Sequence, residues 1–215
     1  SCFYYFTTSI ISPPPISASY ELSDHYGFNI SCKGYTDGSI SITDVSGGNG
    51  DYKYLWYTFD GVISGDPTRD YISNLPAGTY YLEITDTLGC QRIDSFTLTE
   101  PDGITLESYT LSESNDGNYN ISCNGGSDGE IRLNFEGGSG VYDYFWTGPA
   151  GANLQVEMED QIGLIAGDYN VLVTDENGCT MDFDFTLTEP DSLEILFEPS
   201  ISIDGNYNIN CNGGT

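Results

Sequence analysis

Basic residues are scarce in this 215-residue chain, because five Lys and Arg stand against 33 Asp and Glu and the formal net charge at pH 7 is -28. A charge of that sign and size repels nucleic-acid phosphates and anionic lipid. The chain also has no run of 18 apolar residues and no basic segment followed by an apolar one at its start. We therefore expect no nucleic-acid partner and no membrane insertion, and the sequence shows no signal peptide.

Residues that form catalytic groups are equally scarce. The only histidine, His25, lies in a predicted turn whose counterpart later in the chain is "SNDGN", so it has no partner for acid-base chemistry. The cysteines contain no CxxC pair, and the glycine-rich segments "GGNGDY" and "GGSGVY" are not followed by the Lys-Ser/Thr of a phosphate-binding loop. We interpret both segments as hairpin turns and predict a protein that is not an enzyme, without catalytic or cofactor-binding residues.

What the sequence does have is an internal repeat. The six cysteines fall into two series with separations of 91 and 88 residues in the first and 88 and 89 in the second: Cys32, Cys123 and Cys211, then Cys2, Cys90 and Cys179. Trp56 and Trp146 lie 90 residues apart, and "FTLTEPD" occurs at 96–102 and again at 185–191. Self-similarity at a fixed period indicates a tandem array, and a period near 90 suits a whole β-sandwich domain.

The period divides the chain into four parts. Residues 13–101 and 102–190 are predicted to be two complete units, called here the first unit and the second unit. Residues 1–12 are expected to end an upstream unit, and residues 191–215 to begin a downstream one. Under this division the sequence is a window on a longer string of units.

Apolar residues alternate with polar ones within each unit, which is the pattern of half-buried strands. The clearest cases lie at 131–135, 169–173 and 181–187, and no segment shows a helical period. Each unit has a tryptophan at the end of an aromatic segment and a tyrosine two residues after a glycine, as immunoglobulin-like sandwiches do. We predict an all-β fold of tandem immunoglobulin-like β-sandwich domains in a linear array, with Trp56 and Trp146 in the cores. The first unit has one extra residue between Cys32 and its tryptophan, which a β-bulge at 43–45 would absorb.

The segments "CNGGSDGEIRLNFEGGSGVYDYFW", "LIAGDYNVLVTDENGC" and "FTLTEP" resemble the SprB-type repeats of very large cell-surface adhesins from gliding and filamentous Bacteroidota. The second unit matches this pattern almost phrase by phrase, whereas the first reads "CKGYTDG" in place of "CNGGSDG". The resemblance implies export by the type IX secretion system, an extracellular location at the cell surface, and a role in adhesion or gliding motility. It implies no catalytic activity.

Cysteines in an extracellular protein normally form disulfides. One pairing joins cysteines within a unit, Cys32 with Cys90 and Cys123 with Cys179, and would stabilise each unit by roughly 4 kcal/mol. The other joins cysteines on either side of a unit boundary: Cys2 with Cys32, Cys90 with Cys123, and Cys179 with Cys211. We favour the first, because Cys90 lies 11 residues before Pro101, which is some 35 Å of extended strand from the junction.

Calcium is the one ligand that the acidic composition suggests, since hard cations prefer clustered carboxylate and carbonyl oxygens. The candidate ligands lie in turns and at the "EPD" junctions: Glu100, Asp102, Asp128, Asp175, Glu189 and Asp191. None of the segments has EF-hand spacing, and Asp-Gly and Asn-Gly turns alone also account for most of these residues.

These observations favour a structural stalk segment of a secreted adhesin. Its expected partners are other repeats of the same chain, further copies in a homo-oligomeric filament, and a target cell or surface glycans bound through regions outside this window. The alternative is a carbohydrate-binding repeat module that stacks exposed aromatic rings on sugars. Solvent exposure of the two tryptophans discriminates between these functions.

Overall fold

The computed structural model describes residues 12–196, and these fold into antiparallel β-strands without a helix. The first unit contains β1 Ser17–Leu22, β2 Gly38–Ser46, β3 Lys53–Thr58, β4 Gly61–Ser64, β5 Tyr71–Leu75, β6 Gly78–Thr85 and β7 Gln91–Leu98. The second unit contains β8 Thr105–Leu111, β9 Gly129–Glu136, β10 Tyr142–Thr147, β11 Gln161–Leu164, β12 Gly167–Asp175 and β13 Thr180–Leu187.

Each unit pairs its strands into two sheets. The first unit has the orders β1-β2-β5 and β4-β3-β6-β7, and the second has β11-β9-β8 and β10-β12-β13. Both units have the immunoglobulin-like arrangement, except that no described strand pairs with the outer edge of β5 or β11. In the first unit the fourth strand, β4, lies instead at the edge of the second sheet beside β3. The predicted fold class is therefore confirmed, and every strand pair of the named elements lies within a single unit.

The predicted aromatic residues form the centre of each core. Trp56 and Trp146 are 0% and 1% exposed, and their indole Nε1 atoms donate to the carbonyl oxygens of Arg69 at 2.9 Å and Met158 at 2.8 Å. The tyrosine after each glycine is buried as well, and its hydroxyl donates to a carbonyl four residues upstream at 2.7 Å in both units. Satisfying the polar end of each ring lets these large side chains be buried without an orphaned donor.

The extra residue of the first unit forms a β-bulge where it was predicted. Ser19 of β1 pairs with Asp44 of β2, while Tyr20 pairs with Ile42, so Thr43 has no partner. The predicted turns at 47–50 and 137–140 also form, with Gly47 and Gly137 at φ values of 80° and 85°. A Cβ at Gly137 would lie 2.1 Å from the carbonyl oxygen of Gly103, so only glycine lets the turn approach the linker between the units.

The predicted upstream and downstream parts, 1–12 and 191–215, fall largely outside the described residues. They stay predictions of the repeat, as do the unit bounds themselves.

Candidate functional site

The two units are joined by a disulfide as well as by the peptide chain. Cys32 of the first unit is bonded to Cys179 of the second, with the two Cα atoms 5.6 Å apart and a sequence separation of 147. This separation of Cα atoms lies within the usual range for disulfides. We call the Cys32–Cys179 bond the junction staple.

The staple shows that the predicted pairings within a unit, Cys32 with Cys90 and Cys123 with Cys179, are wrong. Asn29 and Ile30 both donate their N–H groups to the carbonyl of Thr99, so the Cys32 loop lies at the end of β7. Cys90 lies at the start of the same strand. A strand of this length separates its ends by about 25 Å, which is several times the reach of a disulfide.

The alternative pairing does not form between described residues either. Cys90 and Cys123 are both exposed free thiols, so they are not bonded to each other. The remaining pairs of that scheme include Cys2 and Cys211, which lie outside the described residues. Neither scheme paired the first-series cysteine of one unit with the second-series cysteine of the next unit, which is the bond that forms.

Two carboxylates fix the loop that carries Cys32. Asp37 accepts the Ser31 N–H at 3.1 Å and the Ser31 hydroxyl at 2.5 Å, and Glu100 accepts the Gly34 N–H at 2.7 Å. Burial opposes ionisation of Asp37, but its hydrogen bonds to Ser31 outweigh that effect and hold the pKa of the carboxyl below its usual range. These hydrogen bonds fasten the start of the loop to Asp37, at the end of the same loop, and its middle to Glu100, at the start of the linker between the units.

A buried aspartate fixes the turn that carries Cys179. Asp175 is 4% exposed, and its Oδ1 accepts the N–H groups of Asn177 at 3.0 Å and Cys179 at 2.9 Å. Its Oδ2 accepts the Ser139 N–H at 3.0 Å. One carboxylate therefore holds the β12–β13 turn against the 137–140 turn and sets the position of the cysteine.

The linker packs between these two supports. The Gly138 N–H donates to the Asp102 carbonyl at 2.7 Å, which fastens the linker to the second unit. On the other side, the Lys33 side chain covers Gly103 so closely that a Cβ there would lie 3.3 Å from Lys33 Cδ. The junction thus consists of a covalent bond, a clamped linker and a close side-chain contact.

The six predicted calcium ligands do not converge. Asp175 and Glu100 act as described above, Asp128 accepts the Ser122 N–H at 3.1 Å, and Glu189 accepts the Gly125 N–H at 2.7 Å. Asp102 and Asp191 line shallow clefts at different ends of the second unit. Over residues 12–196, no three His, Cys, Asp or Glu side chains gather where they could hold a metal ion. Calcium binding stays a prediction, and the observed role of four of these carboxylates is to organise backbone.

Two structural carboxylates were missed by the sequence reasoning. Asp37 is the first-unit counterpart of Asp128, and Asp86 is the counterpart of Asp175. Asp86 accepts the N–H groups of Cys90 at 2.8 Å and Asn49 at 2.9 Å. Their recurrence at the same place in both units was the available signal.

Acid should destabilise these turns. Burial opposes ionisation of Asp86, but hydrogen bonds from the N–H groups of Cys90, Asn49 and Leu88 outweigh burial and lower the pKa of this carboxyl. The hydroxyl and N–H of Ser122 lower the pKa of Asp128 in the same way. A carboxyl with a lowered folded pKa stabilises the fold above its unfolded pKa, about 3.9, and this contribution is lost as pH falls through the folded value. We expect the melting temperature to fall between about pH 5 and pH 2, and to fall less in a triple variant: Asp37→Asn, Asp86→Asn and Asp128→Asn.

The matched control replaces three exposed aspartates whose side chains accept no hydrogen bond within the described part: Asp60→Asn, Asp143→Asn and Asp182→Asn. An equal loss of pH dependence in both triple variants, measured by circular dichroism melts, would contradict the assignment to the turns.

Aromatic exposure does not recur between the units. Both tryptophans are buried, so neither presents a face to a sugar. Phe59 and Phe145 are exposed, but proline and leucine occupy the corresponding positions, Pro149 and Leu55. A sugar-stacking platform repeated in each unit therefore has no counterpart in the described residues.

Comparison with protein families decides the identity of the units. The SprB repeat matches residues 29–61 and 119–151, two segments that start 90 residues apart. Each match contains the first-series cysteine loop, the following strand and the buried tryptophan. The chain carries SprB repeats. The predicted resemblance is confirmed, and SprB repeats are found in cell-surface adhesins of Bacteroidota.

Solved structures with similar chain traces contain immunoglobulin-like domains. The C-terminal 282-residue fragment of intimin, crystallised with the intimin-binding domain of its translocated receptor, is 12% identical with a TM-score of 0.42 over 80% of this chain and 64% of that one. The insect immune protein hemolin is 18% identical, with a TM-score of 0.31 over 70% and 42% of the two chains. The first two immunoglobulin domains of DIP-gamma are 10% identical, with a TM-score of 0.34 over 82% and 98%. This chain therefore spans less than two thirds of the intimin fragment. Among curated protein sequences, none matches this chain significantly.

No helix within residues 12–196 is long and apolar enough to cross a membrane.

Proposed function

We propose that the SprB repeats of this chain form a stalk segment of a secreted adhesin, holding a distant binding region away from the cell surface. The observation that carries this proposal is the junction staple, because it joins consecutive units by a second covalent link. Two links constrain the angle between neighbouring units, whereas a single peptide linker leaves domains free to move relative to each other. A stalk needs that constraint and a binding module does not.

The charge supports the same function. At a net charge of -28, neighbouring chains repel each other, so lateral association into a thicker filament requires cations between them. Repulsion between units along one chain also favours an extended array. Export by the type IX system and a contribution to gliding belong to this proposal as expectations from the SprB resemblance, and the stalk itself catalyses no reaction.

The purified chain should not compete with the adhesin that contains it. A stalk segment added in excess leaves attachment of the cells to their surface unchanged, and it binds no sugar on a glycan array. A carbohydrate-binding module would give the opposite result in both assays. Circular dichroism of the added protein, before and after the attachment assay, is the control for folding. Inhibition of attachment by the folded chain would overturn the stalk function.

A further inference from the structure

The two exposed thiols occupy the same places in the repeat as the two bonded cysteines. Cys123 is the second-unit counterpart of Cys32, and Cys90 is the first-unit counterpart of Cys179. We propose that each forms the same bond with a neighbouring unit, so that a staple recurs at every junction of the array. The disulfide partner of Cys123 is then the second-series cysteine of the unit that begins at Asp191, the counterpart of Cys179 in that unit. This inference rests on the proposed stalk, in which further units follow.

The loop around Cys123 is built like the loop around Cys32. Asp128 accepts the Ser122 N–H at 3.1 Å, which is also the distance from Asp37 to the Ser31 N–H. Glu189 accepts the Gly125 N–H at 2.7 Å, as Glu100 does from Gly34. The supports that present Cys32 to the second unit therefore present Cys123 at the downstream end.

The turn around Cys90 likewise repeats the turn around Cys179. Asp86 accepts the Cys90 N–H at 2.8 Å, against 2.9 Å for Asp175 and Cys179. The two turns differ in exposure, because Asn177 and Cys179 are half-buried whereas their counterparts Leu88 and Cys90 are exposed. The stapled turn is thus less exposed than the free one at these two positions.

The sequence after the second unit indicates that the neighbour of Cys123 is a further repeat unit. Leu193 is 98% exposed, but its counterpart one period earlier, Ile104, is 4% exposed within the core of the second unit. Residues 208–215, "NINCNGGT", repeat residues 120–127, "NISCNGGS". A further sandwich that begins at Asp191 would bury Leu193. It would also place its own counterpart of the β12–β13 turn, which carries the second-series cysteine, beside Cys123.

Forming the bond requires a two-electron oxidant, which is a disulfide compound such as oxidised glutathione or an oxidising protein disulfide. The Cys123 thiolate attacks the donor disulfide, and the partner thiolate then displaces the donor sulfur. One S–S bond forms between the units, the S–S bond of the donor breaks, and its two sulfurs leave as thiols carrying the two protons.

An extended chain tests the proposal. Residues 128–190 are appended after Thr215, which repeats Ser127, so that a third unit is completed from the protein's own sequence. After oxidative refolding and tryptic digestion without reductant, Cys123 lies in peptide 93–132, while the appended copy of Cys179 lies in the peptide that follows the appended copy of Arg132. We expect these two peptides to be disulfide-linked and Cys123 to lose its reactivity with iodoacetamide.

The same digest contains its own folding control, because peptide 1–33 should remain linked to the peptide that contains Cys179. A second variant replaces Cys2, Cys90 and Cys211 by Ser, which leaves four cysteines and three pairings. Linkage of Cys123 to Cys90, Cys211 or Cys32, or a free Cys123 beside an intact junction staple, would overturn the recurring staple. A free Cys123 beside an intact junction staple would leave the stalk function standing, and the attachment assay tests that function separately.

Discussion

Stretched between its two ends, the oxidised chain should stop extending about 500 Å short of the reduced chain. The staple shortens the stretched path by the 147 residues that separate Cys32 from Cys179, at about 3.4 Å for each extended residue. Force applied at the ends passes from Cys32 through the two sulfurs to Cys179, so the residues between them carry no load after β1 and β13 have been pulled away. Optical-tweezer extension curves with and without a phosphine reductant measure the difference directly.

Cysteine variants separate the staple from the other thiols. Cys32→Ser should show the long extension without reductant, whereas Cys90→Ser together with Cys123→Ser should keep the short one, because both are free thiols in the described part. Full extension of the oxidised parent chain would show that the load does not pass through the staple. The mechanical consequence for a stalk is that most of each sandwich is protected from tension and its sheets stay available for refolding when the force falls.

The strands and cores could be predicted from the sequence because they depend on local patterns. Alternation of apolar residues identified the strands, the repeated Trp and Tyr positions identified the core, and a one-residue difference in spacing located the bulge at Thr43. Each of these features is determined by residues that are close to it in sequence. The repeat also provides a second copy of each pattern for comparison.

The disulfide could not be predicted in this way, because it depends on which end of the sandwich each cysteine occupies. The distance argument for Cys90 was sound, since Cys90 does lie a full strand away from the downstream junction. Pairing Cys32 with Cys90 required both cysteines to lie at the same end of the sandwich, whereas the loop before β2 runs to the end of β7, as the hydrogen bonds to Thr99 show. Strand order across two sheets is not a local property of the sequence.

The carboxylates illustrate a different limit. An aspartate in a turn has the same sequence signature whether it binds calcium, caps backbone N–H groups or is solvated. Asp175 was chosen for its oxygen-rich surroundings, and the structure shows that its two oxygens face three N–H donors.

Replacing Asp175 should therefore cost more stability than its position in a turn suggests. Asp175→Ala leaves the N–H groups of Ser139, Asn177 and Cys179 without their acceptor in a buried place, and we expect the free energy of unfolding of the second unit to fall by about 3 kcal/mol. Urea unfolding followed by tryptophan fluorescence in a Trp56→Phe background measures this unit alone, because Trp146 is then the only tryptophan.

The order of three variants tests the cause. Asp175→Asn retains one carbonyl oxygen for the turn and should lie between the parent and Asp175→Ala, while Glu176→Ala removes a neighbouring exposed carboxylate and should change stability by less than about 0.5 kcal/mol. If Asp175→Ala matched Glu176→Ala, the three hydrogen bonds would contribute nothing beyond solvation, and the turn would be held by the disulfide alone. Repeating the series with the staple reduced distinguishes these contributions, because the hydrogen bonds belong to the second unit by itself and their loss should be the same with or without the bond to Cys32.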